Sequence, residues 1–483
     1  MPRAINLSHF EPLVPDRQRG YALLIIEALE FFVTQLPPHR VESIRTVMET
    51  SATAGSRPQQ LAALMRECPT LHKLGQVLAH HRELSAELRT ALQGLEVLAP
   101  QPEGDASIAV RKELGAAAPA GLRIGTHAIA EGSVAIVVPF EWTADSAEVD
   151  SAPRGVFKVL KPDVESKLDD ELEVFGGLGA FLEERSRQYA LPNVEYAEVL
   201  EEVGSLLRSE VRLENEQAHL ASAAKVYQRF SGVRIPDLLP FCTPRLTAMT
   251  FVEGEKVTDA AKPAAAKRDQ MAETIVRALI TTPTFGDAAR AMFHADPHAG
   301  NLLADGDGNV GILDWSLVGY LDKDVRACIT RMVLDAMLLD GSALCRTITK
   351  LSSFTPDEGA LRDVTNHAVE RICHGSFPGI AWLTALLDSA ATRARVRLSR
   401  DLLLFRKSLL TLEGVVADVS AECDIDRVLI CEAMACAAAE WPARYWVRPT
   451  SRAFRTHLSN LDLVALAFRA PWAPFRAALS LYR

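Results

Sequence analysis

Residues Met292 to Leu317, MFHADPHAGNLLADGDGNVGILDWSL, constrain this chain more than any other stretch. Asp296 comes first, Asn301 five residues later and Asp314 thirteen after that. Leu302-Leu303 and Val310-Gly311-Ile312-Leu313 are short apolar runs. Between them, Asp305 to Asn309 reads DGDGN, which is turn chemistry and predicts a hairpin. The hairpin sets its outer ends, Asn301 and Asp314, side by side. An amide oxygen beside a carboxylate is a hard-oxygen pair suited to Mg²⁺, an ion usually held by one or two carboxylates together with substrate phosphate. Asp296, on the loop before the hairpin, is then placed to face a third group as base or orienter.

An Asp and an Asn five apart, followed by a metal-binding Asp, is the order that kinases use in phosphoryl transfer. Two other readings stay open at this point. His294, Asp296 and His298 can be read as the ligand cluster of a metal-dependent hydrolase, and the whole stretch as an ordinary hairpin with surface acids. DGDGN lacks the bidentate Glu of a calcium loop and reads as a plain turn.

At 483 residues the chain is long enough for two or three domains. With 48% apolar and 24% charged residues it reads as globular. A net charge of −10 supplies no global basic field, so no nucleic-acid partner is expected. Eight scattered cysteines without a CxxC pair predict reduced, mostly buried thiols of an intracellular, cytoplasmic protein, and no zinc site. The N-terminus lacks a basic-then-apolar signal pattern. The longest uncharged run found, Ser376 to Leu387, is too short to span a bilayer.

Residues 1 to about 100 read as helical, with a dense apolar face from Tyr21 to Leu36 that stops at Pro37-Pro38 and a loop at 51–60. From Cys68 to Leu95 a helix starts at Pro69-Thr70. Lys73 and Gln76 in its early turns read, by themselves, as a solvated face. Residues 101–120 are linker-like with a short helix. Residues 122–140 read as two strands around Glu131-Gly132-Ser133, where a Gly turn lets backbone N–H groups approach phosphate. An acidic loop at 144–150 precedes a strand, Gly155 to Leu160, with Lys158 in its middle and Lys161 as a surface charge at its end. A mid-strand lysine belongs either to an edge strand or to an ion pair.

Lys167 to Arg187 reads as a polar helix, and Leu206 to Tyr227 as one amphipathic helix on which Glu210, Glu214 and Glu216 can each pair with Lys158; spacing does not choose among them. Arg245 to Gly254 reads as a strand leaving into a loop, and Lys262 to Thr282 as an amphipathic helix. Residues 323–440 are helical. In the basic tail, Arg455, Asp462, Arg469, Arg476 and Arg483 recur every seven residues, with Trp and Phe between them and Pro471 and Pro474 interrupting any single helix. Such a tail can dock onto the protein's own C-terminal helices or rest on an anionic membrane surface.

Together these segments resemble the UbiB family, also called AarF or ABC-one kinases. Lys73-Leu74-Gly75-Gln76 is similar to that family's KxGQ signature, and HADPHAGN with the later LDW is similar to its ADPHPGN and LDFG motifs. The resemblance runs from about Cys68 to Tyr320. It implies an α+β, bilobal protein-kinase-like fold with an N-terminal helical extension and a mostly helical C-lobe. The expected division is 1–105 for the extension with its KxGQ, 106–254 for the N-lobe, 255–445 for the C-lobe and 446–483 for the basic amphipathic tail.

The resemblance further implies ATP and Mg²⁺ as cofactors. It assigns Lys158 to the phosphates with Glu216 as its partner, Asp296 as the catalytic-loop acid, and Asn301 and Asp314 to the metal. Ala130, Gly132 and Ser133 lie in a stretch, Ala128 to Ala135, similar to the family's Ala-rich nucleotide loop but without its following Gly-Gln. Backbone groups of about Thr250 to Val252 would meet adenine, and Lys73 and Gln76 would lie over the site. Three departures stand out: Arg212 replaces an acid, Ala299 a Pro, and Trp315-Ser316 the usual Phe-Gly. Ser has less freedom than Gly at positive φ, which implies a stiffer loop there. The implied function is an ATPase or small-molecule or lipid kinase supporting isoprenoid quinone biosynthesis. The alternatives are a nucleotide-binding, pseudokinase-like regulator and the metal-dependent hydrolase. The expected partners are nucleotide and a lipid or quinone-pathway component, with peripheral membrane contact and oligomeric state left open.

Overall fold

The computed structural model describes residues 7–52, 55–79, 83–95, 105–115, 118–142, 154–192, 194–259 and 265–481. The acidic loop read at 144–150 lies outside them, as do 101–104 and 116–117 of the linker and 262–264 of the helix expected from Lys262. In chain order the strands are β1 (Leu122–Ile124), β2 (Ala130–Glu131), β3 (Ala135–Trp142), β4 (Arg154–Leu160), β5 (Val233–Arg234), β6 (Leu246–Thr250), β7 (Glu255–Lys256), β8 (Arg290–His294), β9 (Leu302–Ala304), β10 (Val310–Ile312) and β11 (Val318–Asp322). The helices before β5 are α1 (Ala22–Gln35), α2 (Pro38–Ala52), α3 (Arg57–Glu67), α4 (Pro69–Ala79), α5 (Ala86–Gln93), α6 (Asp105–Leu114), α7 (Val164–Gln188), α8 (Tyr196–Glu210) and α9 (Leu213–Tyr227). Those after it are α10 (Ala265–Val276), α11 (Thr282–Phe285), α12 (Lys323–Met337), α13 (Gly341–Leu351), α14 (Glu358–Cys373), α15 (Ile380–Arg393), α16 (Arg400–Val419), α17 (Ile425–Arg444), α18 (Asn460–Arg469) and α19 (Ala473–Leu481). The chain divides into two compact units, Met1–Ala218 with Asp237–Phe251, and His219–Pro236 with Val252–Arg483.

In the first unit an antiparallel sheet runs β1-β3-β4-β6, with β2 paired to β3. Phe157 and Val159 of β4 enter an apolar cluster with Ile136, Val138, Phe140 and Leu246, closed by Val110 and Leu114 of α6. Strand side chains alternate between faces, so Lys158 points to the other face, where Leu160 packs with Val134, Ala135 and Leu213. The N-terminal helices share a separate core that includes Phe32, Leu64, Met65 and Leu92, completed by Val174 and Leu178 of α7. The helix expected at Lys167–Arg187 is therefore less polar than read: α7 buries an apolar stripe.

A buried ion pair ties α2, α4 and α7. Arg40 Nη2 donates to Glu171 Oε1 at 2.6 Å, and Glu171 Oε2 accepts from the Thr70 amide at 2.9 Å and its hydroxyl at 2.7 Å. The Thr70 amide is among the N–H groups that a helix start leaves without intrahelical partners. Burial raises the Glu171 carboxyl above its usual range, with the hydrogen bonds opposing. In α4, Gly75 is a packing residue: a Cβ there would meet Leu95 Cδ1 at 2.4 Å and Met65 Sδ at 3.0 Å.

Leu206 to Tyr227 is two helices, not one. The break at Val211-Arg212 contains neither Gly nor Pro. Its cause is packing: Leu207 buries against Leu168 and Leu172, while Leu213 buries against Val134, Ala135, Leu160 and Val164. Six residues at about 100° each place the two leucines on different faces of one straight helix. Interrupting the helix buries both.

In the second unit β10 lies between β5, to which it is parallel, and β9, to which it is antiparallel; β7 edges β9, and β8 pairs with β11. The helix expected up to Thr282 passes into a π turn at Arg277–Thr281 before α11. Pro283 has no N–H to donate into the ladder; the Ala278 carbonyl accepts from the Tyr227 hydroxyl, and the Thr281 and Thr282 hydroxyls donate to the Arg277 carbonyl. The basic tail docks within this unit. Arg469 binds Asp335 at 2.6 Å and Asp340 at 3.1 Å, Arg476 donates to the Leu338 carbonyl, and Asp462 accepts from Arg331 and Arg452. None of the eight cysteines is in a disulfide, but only Cys68 and Cys436 are buried, fewer than expected. Among the described residues no helix is long and apolar enough to cross a membrane.

Two predictions follow from these buried groups. Arg40→Met strands the Glu171 carboxylate and should lower stability by about 3–5 kcal/mol, whereas Arg40→Met/Glu171→Met should recover most of it; urea midpoints of the two variants decide. Burial also holds His72 and His457 at about 4 and lowers His294, against the carbonyls they hydrogen-bond. In the unfolded chain each histidine takes up a proton near pH 6.5. Between that pH and about 4 the unfolded state binds more protons, so stability falls as pH drops. The expected loss is roughly 2 kcal/mol for each of His72 and His457 by pH 5, read as a falling urea midpoint between pH 7 and pH 5.

Candidate functional site

In the first unit the site is built on β4 and α9. Lys158 sits opposite Val137 of β3 and Thr247 of β6. Central in the sheet and flanked by buried neighbours, it requires a partner for its charge. Leu213 anchors the first turn of α9 on the same face, and one turn later Glu216 Oε1 accepts from Lys158 Nζ at 2.8 Å. The lysine side chain is 15% exposed and the glutamate 5%. Gln217 fixes the helix beside it through hydrogen bonds to Thr243 O, Leu246 O and Thr247 Oγ1. The three acids that spacing left equivalent are thus distinguished: Glu216 takes Lys158, Glu210 takes Lys73 at 2.7 Å, and Glu214 is exposed.

The turn after β2 is also fixed. Gly132 N–H donates to Ala135 O at 2.8 Å, and Glu131 Oε1 lies 2.6 Å from Lys161 Nζ. Lys161 was expected as a surface charge at the strand end. It is instead mostly buried against Glu131, and burial lowers its pKa. Ser133 is buried, Ala130 exposed and Gln76 half-buried. Thr250 donates its N–H to Asp237 O and accepts the Asp237 N–H on its hydroxyl, each at 2.9 Å. What this residue can still offer a ligand is its carbonyl. Arg212 is exposed at the helix break.

In the second unit the hairpin forms as expected. Leu302 pairs with Ile312 and Leu303 with Gly311, and Leu313 N–H donates to Asn301 O at 2.8 Å. Asp305 ties the turn by accepting from the Asp307 and Asn309 amides, and Gly308 takes φ +89°. A Cβ on Gly311 would meet Val252 Cγ1 at 2.5 Å, so Val252 lies over the hairpin.

Asn301 is buried. Its Nδ2 donates to Asp296 O at 3.0 Å, which leaves Oδ1 as the acceptor oxygen of the pair. Asp314 is exposed, adopts φ +52°, and accepts the Ser316 N–H on Oδ1 at 3.2 Å. The stiffer loop expected from Ser316 in place of Gly has its left-handed residue at Asp314; backbone held in this region is a recurrent property of functional sites. Trp315 is fully buried, donates Nε1–H to Ile312 O, and its carbonyl accepts from His219 Nδ1. One carboxylate and one amide oxygen fit an Mg²⁺ ion that completes its shell with water and phosphate.

The hydrolase reading does not survive the geometry. His294 is buried, its Nε2 at 2.9 Å from Leu313 O and its Nδ1 accepting the Asp296 N–H, so both ring nitrogens are committed to backbone. His298 Nδ1 accepts the Gly300 N–H and caps the Ala299–Asn301 turn. Among the described residues no three His, Cys, Asp or Glu side chains could hold a metal together. Sequence reading missed Lys407 of α16, whose Nζ lies 2.9 Å from Asp296 Oδ1. The two residues are 111 apart, and nothing local marks the lysine.

The family model described as ABC1 atypical kinase-like domain matches residues 112–348. Among curated proteins, "Probable protein kinase UbiB" of Xanthomonas campestris pv. campestris (strain 8004) is 26% identical over 397 residues, covering 77% of this chain and 68% of that protein. "Protein ACTIVITY OF BC1 COMPLEX KINASE 1, chloroplastic" of Arabidopsis thaliana is 26% identical over 373 residues, covering 74% of this chain and 52% of its own length. Among solved structures, Rv3197 of Mycobacterium tuberculosis, in its complex with erythromycin, superimposes with a TM-score of 0.52 at 16% identity. That match covers 83% of this chain and 89% of the other and supports the fold alone. The matched span carries both the strand of Lys158 and the hairpin of Asp314: residues 112–348 are an ABC1 atypical kinase-like domain with a kinase-like fold, and the chain is similar to the UbiB/AarF proteins.

Proposed function

We propose that the chain binds ATP with Mg²⁺ and transfers or hydrolyses the γ-phosphoryl group. The observation that carries this is the Lys158–Glu216 pair: a mostly buried, mid-sheet lysine held by a helix glutamate, the arrangement kinases use on the α- and β-phosphates. In this reading Glu216 orients the Lys158 ammonium toward phosphate oxygens. Gly132 and Ser133, in the turn braced by Glu131 and Lys161, cover the nucleotide together with Ala130. The carbonyl of Thr250 and the backbone of Val252 meet adenine. Asn301 Oδ1 and the Asp314 carboxylate hold the metal, and Asp296 receives or orients the acceptor's proton. When bound, Mg²⁺ neutralises charge on the β- and γ-phosphate oxygens. The residues then act by positioning and by preorganised charge.

Lys73 and Gln76, on the helix anchored by Arg40 and Glu171, act over the site in this reading, with Glu210 holding Lys73. The family resemblance also supports isoprenoid quinone biosynthesis as the setting and a lipid or other small molecule of that pathway as acceptor. On the same residues, a regulator that binds nucleotide without turning it over is the second reading. It is supported by the departures at Arg212 and Trp315-Ser316.

Thermal shift with ADP and Mg²⁺, paired with ATP turnover, tests the proposal. The wild type should show a Mg²⁺-dependent nucleotide shift that Asp314→Asn abolishes. Lys158→Ala should lower turnover by about 10²-fold or more. An unchanged shift in Asp314→Asn would refute the metal assignment, and binding without turnover in the wild type would select the regulator.

A further inference from the structure

Asp296 does not stand alone. Helix α16 is fixed beside β8 by Ser408 Oγ, which donates to the His294 carbonyl at 3.0 Å, and by Phe405, whose ring lies 5.1 Å from that of Phe293. Phe405, Ser408, Leu409 and Leu412 form its buried face. Lys407 therefore leaves the helix at a height set by packing, and its ammonium meets Asp296 Oδ1 at 2.9 Å. The other carboxylate oxygen, Oδ2, is 4.0 Å from His298 Nε2. The lysine side chain is 53% exposed and the aspartate 33%. An exposed pair of this kind adds little to folding, so stability does not account for a lysine held at this one carboxylate.

We infer that Lys407 is a positioning residue for the Asp296 carboxylate in the phosphoryl-transfer step; the inference rests on the ATP-dependent reading above. In that step the acceptor, water or another hydroxyl, forms a new O–P bond to the γ-phosphorus. The bond from that phosphorus to the β–γ bridging oxygen breaks, its electron pair leaves on ADP, and the acceptor proton passes to Asp296. A base must lie within hydrogen-bond reach of the proton it takes. Lys407 holds Oδ1 and so fixes the orientation in which the carboxylate meets the acceptor. Backbone support comes from the other side, where Asn301 Nδ2 donates to the Asp296 carbonyl. His298, two residues after Asp296, spends its Nδ1 on the Gly300 N–H, and the lysine at this carboxylate comes from α16.

The test compares wild type, Lys407→Met, which keeps the apolar stem, and Lys407→Arg, which keeps the charge. Turnover of MgATP and binding of MgADP with and without aluminium fluoride, a mimic of the transferring group, are measured on the full chain. In Lys407→Met, kcat should fall about 10- to 100-fold with KM for ATP within about twofold. Its affinity for MgADP should be kept, and its preference for the fluoride complex over MgADP lost. Lys407→Arg should restore most of both. If wild type binds and turns over nucleotide but Lys407→Met keeps its kcat and its preference, the inference is overturned and the ATP reading stands. If wild type shows no Mg²⁺-dependent nucleotide binding, both fall together.

Discussion

A lysine ammonium in the middle of a sheet is tolerable only with an opposite charge in reach, because an unpaired buried charge is strongly destabilising. The 2.8 Å contact between Lys158 and Glu216 meets that demand, and much of the first unit's architecture follows from it. Strand alternation turns Lys158 away from the cluster of Phe157 and Val159. Helix α9 must then start on the lysine's face, which Leu213 achieves by packing on Leu160. The break between α8 and α9 lets that placement coexist with Leu207 buried elsewhere. The same break separates two lysine–glutamate pairs, giving Glu210 to Lys73 and Glu216 to Lys158.

The N-terminal helices depend on a second buried pair, Arg40 with Glu171, through which Thr70 at the start of α4 is anchored. Removing one member of such a pair leaves a charge uncompensated, while removing both is often tolerated. The helix carrying Lys73 and Gln76 is thus held at its start by Glu171, along its length by the close packing of Gly75, and at Lys73 by Glu210. The second unit uses backbone bonds to similar ends. His294 spends both ring nitrogens on Leu313 and Asp296, joining β8 to the far end of the hairpin.

What the sequence made legible was local in character. Turn chemistry at DGDGN and the flanking apolar runs foretold the hairpin, and period-two alternation foretold β4 with Lys158 central. Apart from Lys158 with Glu216, which the family resemblance supplied, long-range pairings were not legible. Arg40 and Glu171 are 131 residues apart, and Lys407 and Asp296 are 111 apart. A lone Arg or Lys on a helix carries no mark of the carboxylate it will meet. The helix break at Val211-Arg212 was missed because tertiary packing, not Gly or Pro, causes it. Lys161 was misjudged because its position at a strand end said nothing of Glu131. A stiffer loop was expected where Ser316 replaces Gly; the left-handed backbone conformation is taken two residues earlier, at Asp314.

A crystal structure with Mg²⁺ and a non-hydrolysable ATP analogue bears most directly on the account. It should show phosphate oxygens within hydrogen-bond distance of Lys158 Nζ while that lysine keeps Glu216, and the metal bound by Asn301 Oδ1 and the Asp314 carboxylate. Nucleotide bound away from Lys158, or metal held without Asp314, would contradict it.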